Sequence, residues 1–184
     1  MSLITLIGLP GSGKSTVGRQ LGRRLQMPFV DSDTVIEQRI GCTIREFFER
    51  EGEAAFRDVE QAVLADLCAE PQAKVLATGG GIVLRQANRD CLRSGGTVVY
   101  LRSSPEELAR RLKHDAQRPL LQGVDPLTRL RELYAARDPL YREVAGFTID
   151  SARRSVAMMV GTVVMQLELS GGRYGSHEAP AGQP

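Results

Sequence analysis

The residues Leu3-Ile4-Thr5-Leu6-Ile7 form an apolar run that stops at Gly8-Leu9-Pro10-Gly11-Ser12-Gly13-Lys14-Ser15. A strand feeding straight into G-x-x-x-x-G-K-[ST] constrains the fold more than any other stretch of this chain. Glycines at 8, 11 and 13 permit backbone turns closed to other residues, so successive N–H groups face inward toward an anion. A helix starting near Lys14 adds the positive end of its dipole. The pattern implies a P-loop that holds the phosphates of ATP or GTP through Gly11, Ser12, Gly13, Lys14, Ser15 and Thr16. Lys14 supplies a movable positive charge, and the Ser15 hydroxyl is a ligand for Mg²⁺. The competing reading is a glycine turn that ends a buried strand; the strand before and the helix after weigh against it.

The rest of the chain reads as an open α/β protein. Short β-branched runs near 3–8, 28–31, 75–78, 97–101 and 147–150 alternate with longer amphipathic stretches, the pattern of a parallel sheet with helices on both faces. Val17, Leu21 and Leu25 mark one helical face; Phe56, Val59, Val63 and Leu67 mark another. The apolar stretch from Val156 to Leu169 is too short to span a bilayer, and its stripe predicts a helix packed on the core. The first apolar run has no charged flank and ends at the glycine loop, so it reads as a strand and not as a signal sequence. With 184 residues, 42% of them hydrophobic, the chain suits one domain over 1–169. Polar residues, Gly123 and two prolines within 114–126 predict a lid, while 170–184 holds too few apolar residues to pack and is expected to be a disordered tail.

Charge and cysteine content exclude several partners. A net charge of +2 with scattered arginines does not call for nucleic acid. Cys42, Cys68 and Cys91 are odd in number and lack metal-ligand spacing, which suits buried, reduced thiols in a cytoplasmic protein.

A P-loop alone does not separate a switch GTPase, a motor ATPase and a small-molecule kinase. The second strand leads into Asp31-Ser32-Asp33, where carboxylates two apart on an extended segment point to one side, so one faces Mg²⁺ and the other an acceptor hydroxyl. The alternatives are an N-cap role for Asp33 before a helix over Thr34 to Arg39, and a solvated turn for Asp31. After the third strand, Gly79, Gly80 and Gly81 present backbone with no side chain in the way, a surface on which a small substrate could lie. Arg57 lies on the helix that follows Gly52, and Arg137 near the end of a helix before Pro139. Converging guanidinium forks would suit an acidic substrate; taken singly, each reads as a surface arginine, Arg57 paired with Glu53 or Glu60.

Together these residues resemble the shikimate kinase family. Gly8 to Gly18, Asp31-Ser32-Asp33, Phe56-Arg57-x-x-Glu60, Gly79-Gly80-Gly81, Arg118-Pro119-Leu120-Leu121 and Arg137-x-Pro139-Leu140-Tyr141 follow the family's order and spacing from about Leu3 to about Leu167. The resemblance implies a nucleoside-monophosphate-kinase-like fold, three layers α/β/α around a five-stranded parallel sheet in order 2-3-1-4-5. It implies transfer of the γ-phosphate of ATP to the 3-hydroxyl of shikimate by a Mg²⁺-dependent cytoplasmic monomer on the route to aromatic amino acids. It assigns the substrate carboxylate to Arg57 and Arg137, its hydroxyls to Asp33 and the Gly79–Gly81 backbone, and transition-state charge to Lys14 and Arg118. Mg²⁺ would be held by Ser15 and Asp31. The match departs at Arg153-Arg154-Ser155-Val156, where the family commonly carries Arg-Arg-Asn-Pro; Arg154 is the residue expected beside adenine. The rivals are another small-acceptor kinase of this fold, such as gluconate kinase, and a nucleotide-binding regulator without catalysis. No N-K-x-D motif favours a GTPase switch.

Overall fold

The computed structural model describes residues 3–112, 125–152 and 154–171. Five strands, β1 (Leu3–Ile7), β2 (Phe29–Asp31), β3 (Lys74–Ala77), β4 (Thr97–Arg102) and β5 (Phe147–Asp150), pair in parallel in the order β2-β3-β1-β4-β5. The strand positions and the order are those the sequence and the family resemblance led us to expect. Seven helices are described: α1 (Lys14–Leu25), α2 (Ser32–Ile40), α3 (Ile44–Ala69), α4 (Gln86–Gly95), α5 (Pro105–Leu112), α6 (Pro126–Val144) and α7 (Val156–Leu169).

Strand periodicity separates the apolar residues into two cores. Ile4, Leu6, Val75, Val99 and Leu101 face one side, where Val17, Leu21 and Leu25 of α1 and Met159, Val160, Val163 and Leu167 of α7 cover them. Leu3, Ile7, Leu76, Val98 and Tyr100 face the other side, against Phe56, Val63, Leu64 and Leu67 of α3, Leu92 of α4 and Leu133 and Tyr141 of α6. Both faces of the sheet are thus buried, the arrangement that parallel pairing requires. The cysteines differ from expectation: all three are free, but each is half-buried, with Cys68 and Cys91 at the margin of the second core.

Because the strands are parallel, the loops leaving β1, β2 and β3 emerge along one edge, where open α/β sheets bind ligands. Thr78 pins that edge by donating from its backbone N–H and its hydroxyl to the Leu6 carbonyl, at 3.3 and 3.1 Å.

Three local features depart from the sequence reading. Asp31, not Asp33, caps α2: its side chain accepts from the Asp33 N–H at 3.1 Å, and the helix begins at Ser32. Asp33 therefore sits in the first helical turn, and strand alternation is not what places the two carboxylates together. Helix α6 runs through Pro139 and does not end before it. The proline removes one helical hydrogen bond, but Leu130, Leu133, Tyr141 and Val144 are buried on both sides of it, so packing holds the helix across the break. Asp125 and Pro126, which the sequence placed in the lid, are the N-cap and first residue of α6; residues 113–124 of that segment lie outside the described residues. In the tail, Ser170 caps α7 and Gly171 follows; the remainder is likewise outside them.

Helix α3 is interrupted at Gly52, whose φ of 84° and ψ of 175° no side-chain-bearing residue adopts without strain. The break lets Phe48, before it, and Phe56, after it, stack with ring centroids 4.4 Å apart. Replacing Gly52 by alanine should lower stability by about 1–3 kcal/mol, read as a reduced urea midpoint. An unchanged midpoint would show that α3 continues through this position at no cost.

Candidate active site

A cavity of about 890 Å³ opens at the carboxyl edge of the sheet. Its floor comes from the three loops, and its far wall from α3 and α6. Of the site residues the sequence proposed, Gly11, Gly13, Lys14, Ser15, Thr16, Asp31, Asp33, Arg57, Gly79, Gly80, Gly81 and Arg137 all line it.

At one end, Gly13 takes a left-handed φ of 91° and starts α1 at Lys14. Lys14 is buried and its Nζ donates to the carbonyls of Gly8 and Leu9, both at 2.9 Å, and to Ser12 Oγ at 3.4 Å. The ammonium is thus held over the loop. Ser12 has no exposed surface and does not line the cavity; it supports Lys14 from behind. Ser15 Oγ donates to Asp31 Oδ2 at 2.6 Å. These two oxygens, from the first turn of α1 and the end of β2, form a small hard donor pair. No group of three or more His, Cys, Asp or Glu suited to a metal occurs among the described residues. The donor set fits Mg²⁺, which takes one or two protein oxygens and completes its shell with phosphate and water.

In the middle, Asp33 lies beside the glycine triplet. Burial, and then the neighbouring Asp31 carboxylate, push its carboxyl up from 3.8 to about 6, against the opposing pull of Lys14. A carboxyl poised there accepts a proton from a weakly acidic group near neutral pH more readily than an ordinary aspartate does.

The glycines fit for a reason the sequence did not reveal. A Cβ on Gly79 would come within 2.9 Å of Asp33 Oδ1, and one on Gly80 within 2.7 Å of the Pro10 ring. One on Gly81 would overlap the Arg57 guanidinium. Each glycine makes room for a neighbour that lines the cavity.

At the other end, Arg57 donates to Glu60 Oε2 at 2.6 Å and to Glu53 Oε1 at 3.3 Å, and lies over the Phe56 ring. Both pairings read from the sequence therefore exist, yet Arg57 also faces the cavity. Glu60 is only 2% exposed, and burial raises its carboxyl above the usual range although Arg57 and Arg137 pull it down. The buried Tyr141 hydroxyl donates to the Gly80 carbonyl at 2.5 Å, with the positive charge of Arg137 nearby.

Glu60, Tyr141 and Arg111 were not among the proposed site residues. Arg111 lines the cavity beside the P-loop, reaching the Gly11 carbonyl at 3.5 Å, the Ser151 carbonyl at 3.4 Å and Glu107 Oε1 at 2.6 Å. Nothing in its sequence surroundings distinguishes it from Arg110, since only the helical phase of α5 turns one of them toward the loop. Arg154 is exposed and is not among the lining residues; its guanidinium meets Thr162 at 3.5 Å. Arg118 lies outside the described residues.

Comparison with known proteins gives this cavity a context. A family model described as shikimate kinase matches residues 10–168. The chain is 62% identical over 170 residues to a shikimate kinase of Paracidovorax citrulli, covering 91% of this chain and 93% of that one. It is 54% identical over 167 residues to a shikimate kinase of Cupriavidus pinatubonensis, covering 91% and 86%. Among solved structures, shikimate kinase from Acinetobacter baumannii in complex with shikimate superposes with a TM-score of 0.86 at 44% identity, over 93% of this chain and 94% of that one.

Folded Asp33 keeps its proton between about pH 4 and 6, where the unfolded chain has released it. The cost of burying its charge is therefore absent below pH 4, grows as the pH rises through 6 and is complete above it. Asp33→Asn should raise the Tm relative to the parent at pH 7.5, and the gain should shrink toward zero at pH 4. A difference in Tm that does not vary with pH would show that Asp33 titrates normally.

Proposed function

The chain belongs to the shikimate kinase family, and from that footing we propose how its residues divide the transfer of the γ-phosphoryl group of ATP to the 3-hydroxyl of shikimate. The enzyme is a phosphotransferase with an alcohol acceptor, releasing ADP and shikimate 3-phosphate. The observation that carries the division of roles is that Arg57, Arg137 and Asp33 share one cavity with the P-loop.

Shikimate has one charge, its carboxylate. Arg57 and Arg137 stand at the end of the cavity away from Lys14, and their forks would grip that carboxylate and fix the ring. The glycine triplet, flat because its side chains are absent, supports the ring face. Asp33, between the arginines and the P-loop, then receives the hydroxyl directed toward the nucleotide and takes its proton as the oxygen attacks phosphorus.

The P-loop N–H groups and the first turn of α1 hold the phosphates, and Lys14 stabilises charge on the group in flight. Its ties to the Gly8 and Leu9 carbonyls keep the ammonium in place before the reaction begins. Ser15 and Asp31 are the residues that would hold Mg²⁺; the ion, when bound, neutralises charge on the β- and γ-phosphates. Arg111 joins this end through its contact with Gly11. Arg118 is assigned to the transferring phosphoryl by family resemblance, as is Arg154 to the base; for Arg154 that assignment requires its side chain to leave Thr162.

Three free thiols favour a reducing cytoplasm, and a monomer is what the family resemblance implies. No helix among the described residues is long and apolar enough to cross a membrane.

A coupled assay of ADP release from MgATP, with shikimate and gluconate offered in parallel, tests the acceptor: turnover should depend on shikimate and be absent with gluconate. In the same assay Asp33→Asn should cut kcat by about a hundredfold or more while leaving the KM for ATP near normal. Full turnover in that variant would remove Asp33 from the proton transfer. Arg57→Ala should raise the KM for shikimate by about tenfold or more, the loss of a charge-assisted pair. A rise confined to the KM for ATP would place the acceptor elsewhere.

A further inference from the structure

We propose that Tyr141 is a positioning residue for the acceptor: its phenolic hydroxyl holds the Gly80 peptide of the glycine floor, one helical turn along α6 from the Arg137 clamp. The inference rests on Arg137 gripping the substrate carboxylate, as set out above.

Tyr141 has no exposed surface, and its hydroxyl is bonded inside the fold. The proton goes to the Gly80 carbonyl at 2.5 Å, and the positive charge of Arg137 lies near the phenol. Burial pushes the phenol well above its ordinary pKa, so it remains a donor throughout the range in which the enzyme works. Arg137 and Tyr141 are four residues apart on α6, one above the other on the same face, because the helix continues through Pro139.

The bond to Gly80 acts beyond its acceptor. A trans peptide is planar, so a Gly80 carbonyl turned toward α6 points the Gly81 N–H the opposite way. The Pro10 ring packs against Gly80, and the Tyr141 hydroxyl adds a polar contact that sets which way the Gly80 carbonyl points. The bonds from Ile82 N to Gly79 O at 3.2 Å and from Leu84 N to Gly81 O at 3.0 Å hold the peptides on either side, not this one. Tyr141 thus fixes the floor from the same helix that carries Arg137, and clamp and floor must agree for one ring hydroxyl to meet Asp33.

The tyrosine is itself held. Its ring lies 4.9 Å from that of Tyr100, and the Tyr100 hydroxyl donates to Asp138 Oδ1 at 2.8 Å. This second phenol braces α6 against β4 without touching the cavity, which makes it a natural control.

Tyr141→Phe keeps the ring and removes only the hydroxyl. The expected result is a KM for shikimate raised about five- to tenfold, with kcat and the KM for ATP within twofold of the parent. Tyr100→Phe should lower Tm and leave the KM for shikimate unchanged. An unchanged KM in Tyr141→Phe, or equal rises in both KM values, overturns the proposal; so does a Tyr100→Phe variant that shows the same KM shift, since the effect would then be one of helix packing. Arg137→Ala, assayed alongside, separates the layers: if it leaves the KM for shikimate unchanged, the clamp itself fails and the inference with it. If it raises that KM and Tyr141→Phe does not, only the link fails.

Discussion

A carboxylate buried in a wall must be met by positive charge, and Glu60 imposes that demand on everything around it. It is almost sealed from solvent, and its burial is tolerable because Arg57 contacts it directly and Arg137 lies close enough to lower its proton affinity. Arg57 also reaches the exposed Glu53, so two guanidiniums and two carboxylates gather at that end of the cavity. Glu60 thus serves the site from behind: it fixes the direction of Arg57.

The opposite end follows a parallel logic with the signs exchanged. There the buried cation is Lys14, met by two carbonyls of its own loop, and the carboxylates of Asp31 and Asp33 lie between the two basic regions. Asp33 feels burial and its neighbour Asp31 more strongly than it feels Lys14, so its proton affinity rises toward neutrality. Positive charge at both ends and carboxylates between them is the order that an anionic acid, its alcohol and a triphosphate require when laid end to end. The sheet produces it by delivering three consecutive loops to one edge.

Much of this was legible in the residues. The strands announced themselves by β-branched runs, α1 by its stripe at 17, 21 and 25, and the phosphate end by a motif whose spacing is its mechanism. Helical spacing alone offers Glu53 or Glu60 as the partner of Arg57, and the guanidinium takes both. What escaped the sequence depends on rotation and on contacts between distant segments. Asp31 and Asp33 were grouped correctly for the wrong reason, because a cap converted the second of them from strand to helix. Pro139 suggested an end that packing overrode. Arg111 and Arg110 are equivalent until the phase of α5 is known, and Arg154 lies against α7 where a base-stacking role had been expected. Tyr141 looks like core in any pattern, and it is core; only its hydroxyl belongs to the site.

The glycine triplet has a consequence for inhibitors. Its three missing side chains are replaced by a carboxylate, a pyrrolidine ring and a guanidinium that press in from other segments, so the surface under the acceptor has no movable group of its own. A compound that seeks grip there finds only peptide planes, and drug resistance through bulkier residues at these places is closed because the incoming atoms would evict the machinery. Selectivity between acids has to be designed at the rim, where Phe48, Arg45 and Glu49 offer side chains that a ligand can engage.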